Sequence, residues 1–128
     1  MSAEALSSEW IRRLKTPIPI LALALLGLLG CHPMPPGKPL SQLNPQELSG
    51  HDVFLAHCAR CHYADSERGF HGPGLLGLFR QPYLPSGISA NDERVTSIIL
   101  HGRGMMPAMS GKLDDRQLQD LLAYLHTL

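Results

Sequence analysis

The sequence predicts an all-α domain of about three to five helices. Three observations carry that expectation. No stretch alternates apolar and polar residues in the manner of a strand. Leu118, Leu121, Leu122, Leu125 and Leu128 recur at the spacing of a single helix face. Asn91 and Asp114 stand immediately before apolar-periodic segments, where helix N-caps are preferred. Composition narrows the function classes further. A chain of 128 residues holds one domain, or a small domain with a targeting segment and a linker. Its 11 basic and 11 acidic residues cancel, which excludes the strong basic footprint of a nucleic-acid binder. Aromatic residues make up only 5 % of the chain. Such a core must be aliphatic or built around something that is not an amino acid. Three cysteines is an odd count, so a simple disulfide framework would leave one over.

Taken from the N-terminus, residues 1–30 read as a secretory signal. Arg12, Arg13 and Lys15 precede an apolar run from Ile18 to Gly30 that is too short to cross a bilayer. A buried core helix would need polar positions facing solvent, and this block has none. The run ends Leu28-Leu29-Gly30-Cys31, which resembles the lipobox of bacterial lipoproteins. The resemblance implies that Cys31 is acylated and becomes the new N-terminus; the alternative is a plain secretory cleavage leaving a free thiol. His32 rather than an aspartate follows, a weak lean toward the outer membrane. Five of the eleven prolines fall between His32 and Gln46. Residues 31–47 are therefore expected to be an extended, proline-rich tether, and residues 48–128 the folded domain. About eighty residues bury too little surface for a large core, so a staple is expected.

The first helix is expected to start near Ser49 and run into Cys58-Ala59-Arg60-Cys61-His62. C-x-x-C-H is the attachment sequence of c-type haem. On one helical turn both thiols reach the two vinyl groups of one haem, and His62 points its imidazole at the iron. One covalent haem c, held through Cys58 and Cys61, is the expected cofactor. A thioredoxin-like dithiol would need a strand before Cys58, whereas Gly50, Phe54, Cys58 and Cys61 recur at helical spacing. Structural zinc would need a second ligand pair, and the other histidines (His51, His57, His71, His101, His126) are scattered. A plain disulfide would leave His62 unexplained. A second helix, capped by Asn91 and ended by Gly102, turns Val95, Ile98 and Ile99 inward. In the last helix, Asp114 and Gln117 form a capping-box pair, with Leu113 and Leu118 as hydrophobic staple.

The haem motif, with the segment Gly102-Arg103-Gly104-Met105-Met106-Pro107-Ala108-Met109, resembles the small monohaem class I cytochromes c of bacteria. The resemblance covers residues from about 49 to the C-terminus, and it implies the class I cytochrome c fold, with helices wrapped around one haem. It also implies that Met106, which precedes Pro107, is the second axial ligand, while Met105 and Met109 line the loop or the haem edge. His71-Gly72-Pro73-Gly74-Leu75 matches the loop beneath the proximal histidine. There Pro73 would accept the Nδ1 proton of His62, and Leu75 would pack on the haem. Gly50, Phe54 and Tyr124 match the family's crossing of terminal helices.

Iron held by His62 and Met106 has both axial positions filled by protein, which disfavours oxygen or peroxide chemistry. One-electron transfer remains, and the thioether favours the reduced iron. Beyond Cys31, eight basic and nine acidic residues leave a weak net charge, so docking would depend on local patches and apolar contact around the haem edge. Arg103 could lie near that edge, or be a solvated loop residue. The expected partners are a redox donor and acceptor and the membrane, on the periplasmic side, with no nucleic acid. The expected function is a carrier in a respiratory or photosynthetic chain, not an enzyme; the alternative is a fixed haem subunit of a larger oxidoreductase complex.

Overall fold

The computed structural model describes residues 34–128. The expected signal segment and Cys31 lie outside the described residues. Among the described residues, three α-helices form the framework: α1 (Pro45–His57), α2 (Asp92–His101) and α3 (Asp115–Leu125). Among the described residues there is no strand, only isolated bridges such as Tyr83 with Ser89. The all-α expectation agrees with this architecture.

Each helix begins where a side chain satisfies its first free N–H groups. Asn44 caps α1 by accepting from the Glu47 N–H at 2.9 Å, and the Glu47 carboxylate accepts from the Asn44 N–H at 2.7 Å. Pro45 fits the first helical position because no partner there needs its missing N–H. The helix thus starts four residues before Ser49, at a cap that the proline-rich composition obscures. Asn91 caps α2, and Gly102 ends it with φ 74°. That left-handed conformation suits glycine. Asp114 and Gln117 form the expected capping box on α3.

The apolar stripe of α3 forms the centre of the core. Leu118, Leu121, Leu122, Leu125 and Leu128 are all buried, with Leu121 at 0 % exposure. Burying one such leucine contributes about 2 kcal/mol. The stripe packs across α1, and Gly50 sets how closely they approach. A Cβ at Gly50 would overlap the Asp120 carbonyl and come within 2.8 Å of the Tyr124 Cβ. The Phe54 and Tyr124 rings meet beside this crossing with centroids 5.6 Å apart. Val95 and Ile99 bring α2 onto the same core.

The segment ahead of α1 lies on the domain. Lys38 donates its backbone N–H to the Thr127 carbonyl at 2.7 Å, and Arg80 donates to the Pro35 carbonyl at 2.7 Å. Leu43 is buried in the core after a single 3-10 turn, Leu40–Gln42. From Met34 onward, the stretch expected to be an extended tether belongs to the compact unit. Proline content suggested an extended chain, but the backbone carbonyls and Leu43 have partners on the domain.

Candidate haem site

Cys58 caps the C-terminus of α1, with its N–H bonded to the Phe54 carbonyl at 2.8 Å. The chain then makes one further tight turn. Both the Cys61 and His62 N–H groups bond to the Cys58 carbonyl, each at 3.0 Å. That turn brings two half-buried thiols and the His62 imidazole together within five residues. Burial pushes the Cys58 thiol up to about 11, and the neighbouring Cys61 adds to the shift.

The loop after the motif holds the imidazole. His62 Nδ1 donates to the Pro73 carbonyl at 2.8 Å, which leaves Nε2 free to bind iron. The loop itself is tied back to the motif. Gly72 N–H bonds to the Cys61 carbonyl, and Leu75 N–H to the Tyr63 carbonyl, both at 2.8 Å. Gly72 lies directly against the His62 ring, where a Cβ would overlap the imidazole. The resemblance placed Gly72 in the loop beneath the proximal histidine; its contact with the His62 ring exists only once that loop is folded. Leu75 is half-buried against the core.

The loop after α2 presents the three methionines differently. Met105 is 91 % exposed, and Met109 is buried at 7 % with its N–H bonded to the Ile99 carbonyl. Met106 is half-buried and packs against the core, its N–H and carbonyl paired with Arg103 at 3.0 and 3.1 Å. Most remaining histidines are engaged elsewhere. His101 donates to the Ser97 carbonyl at 2.9 Å. His126 donates to Asp92 at 2.7 Å and stacks on Phe79 with ring centroids 3.9 Å apart. His51 meets Tyr124 edge-on, and His71 lies on exposed Phe70.

These residues fit haem c. Two thiols share one turn, an oriented imidazole follows, and a thioether lies on the loop after α2. Ala59, Leu75, Leu78, Ile98 and Leu100 add half-buried apolar surface packed on the core. Residues 45–125 match the family model described as cytochrome c oxidase, cbb3-type, subunit III. The chain belongs to the class I monohaem c-type cytochromes.

This cytochrome is 36 % identical over 75 residues to cytochrome c6 of Bryopsis maxima, covering 59 % of this chain and 83 % of that one. It is 32 % identical over 82 residues to the cbb3-type cytochrome c oxidase subunit CcoP of Azospirillum sp., covering 62 % of this chain and 27 % of CcoP. Among solved structures, cytochrome c6 from the diatom Phaeodactylum tricornutum is similar at TM-score 0.45 and 23 % identity, covering 62 % of this chain and 88 % of that one. Membership of the family brings one covalent haem c, and with it single-electron transfer. When bound, the haem supplies the Fe(III)/Fe(II) couple. Cys58 and Cys61 would attach it, and the Pro73 carbonyl would hold the His62 ring in place.

Proposed function

We propose that this cytochrome is a lipid-anchored carrier on the periplasmic side of a bacterial membrane, passing single electrons between membrane-associated donor and acceptor proteins. Cys58 and Cys61 form the thioethers, and His62 and Met106 are the axial ligands. Pro73 fixes the His62 ring, and Leu75 packs on the haem. The hydrogen bond from His62 to Pro73 is the observation that most supports the reading, because it occupies Nδ1 and leaves Nε2 as the nitrogen that would bind iron. With both axial positions taken, the protein acts as a carrier rather than as an enzyme. The lipobox-like Leu28-Leu29-Gly30-Cys31 supports the anchor, and the preceding basic and apolar run supports export. A surface-held carrier meets membrane partners at a raised local concentration.

A fixed place in an oxidoreductase complex is the second reading, favoured by similarity to a stretch of CcoP. Mild detergent extraction of native membranes followed by a native gel separates the two. The carrier reading expects a small haem-staining band that migrates alone. Co-migration with a large complex through repeated washing would favour the subunit. A Cys31→Ser variant is expected to leave the membrane fraction while keeping its haem.

A further inference from the structure

The segment expected to be a free tether is fastened to the domain at four successive points. Met34 lies against Gly77, where a Cβ would come within 2.8 Å of its sulfur. Pro35 accepts from the Arg80 guanidinium at 2.7 Å. A Cβ at Gly37 would come within 3.1 Å of the Leu128 Cα, so the backbones run in close contact. Lys38 gives its backbone N–H to Thr127 at 2.7 Å and its ammonium to Glu47 at 2.6 Å. The strap therefore joins the turn around Gly77 and Arg80, the C-terminus of α3 and the start of α1.

We infer that this strap sets how the domain stands on the membrane. The inference rests on the lipid-anchor reading of Cys31. A free polyproline-like chain from residue 31 to 47 would reach about 50 Å and let the domain turn freely. With the strap docked, only three peptide steps separate Cys31 from Met34, a reach of at most about 11 Å. Attachment through Met34 therefore brings the side of the domain at Gly77 and Arg80 to the headgroups. The N-terminal end of α3 lies away from the strap, because Arg116 and Leu125 are separated by about 14 Å of helix. Glu47 and Cys58 stand at opposite ends of α1, about 16 Å apart along its axis. The anchoring end of α1 and its haem-attachment end are thus distinct.

The test uses the full-length, lipidated holoprotein in phosphatidylcholine vesicles that carry a quencher on the lipid headgroup. A fluorophore is placed at Gln81→Cys, beside Arg80, or at Arg116→Cys, at the far end of α3. Greater quenching at position 81 than at 116 is expected. A second protein combines Arg80→Ala with Lys38→Pro, which removes the guanidinium, the Lys38 ammonium and, because proline has no N–H, the backbone donor to Thr127. In it the two positions should become equal, with the visible haem spectrum unchanged. Equal quenching in the parent protein, or a difference that persists after release, would overturn the strap. A parent that fails to partition into vesicles at all would instead overturn the anchor reading, and the inference with it.

Discussion

Three methionines crowd the loop after α2, and their exposures give each a different expected phenotype. Met106→Leu should abolish the iron–sulfur charge-transfer band of the oxidised protein and lower its reduction potential, because a soft thioether favours Fe(II). Met105→Leu should leave both unchanged, since that side chain is 91 % exposed. Met109→Ala should keep the band but cost about 2–5 kcal/mol in denaturant unfolding, the range for emptying a buried site. Loss of the band in Met105→Leu or Met109→Leu would move the ligand assignment. At this scale legibility followed sequence distance. The Cys58, Cys61 and His62 set is local, so its turn could be read from five residues. Pro73 is eleven residues from His62 and followed only from family resemblance. Gly72 was placed in the same loop by that resemblance, but its closeness to the imidazole emerges only in the folded loop.

The helices test the same physics over a turn or more. Gly50→Ala would force its Cβ into the Asp120 carbonyl, so α1 and α3 must separate. A loss of about 1–3 kcal/mol is expected in chemical denaturation. Asn91→Ala should cost about 1 kcal/mol by leaving the first turn of α2 uncapped. The start of α1 carries a pH dependence. Lys38, and next the Asn44 N–H, hold the Glu47 carboxyl below its ordinary 4.5. A depressed carboxylate contributes stability that is fully present above pH 4.5 and lost as the pH falls through its folded value. Glu47→Gln should therefore flatten the acid side of the stability profile and leave the slope near neutral pH unchanged. The caps of α2 and α3 were legible because Asn91 and Asp114 each precede a clear apolar period. The cap of α1 was hidden by the prolines around it, although Asn44-Pro45-Gln46-Glu47 carries the same start signal.

In the whole molecule, the low aromatic content and the half-buried apolar residues around the motif have one explanation. A small aliphatic core needs further apolar filling, and the covalent haem that the family carries would supply it. The proline-rich stretch was the main feature that composition misread. Pro39 and Leu43 are extended on either side of the 3-10 turn, but carbonyls and N–H groups of the stretch meet the domain instead of water. Only the folded chain brings Thr127 and Arg80 to them. An iron with both axial positions held by His62 and Met106, as proposed, works only in electron transfer. Carbon monoxide added to the reduced holoprotein at neutral pH tests this most directly. The visible spectrum should stay unchanged, alongside a single reversible one-electron step in a redox titration. A carbon monoxide complex forming at neutral pH would show an axial position that opens, and would rule out a closed, electron-transfer-only iron.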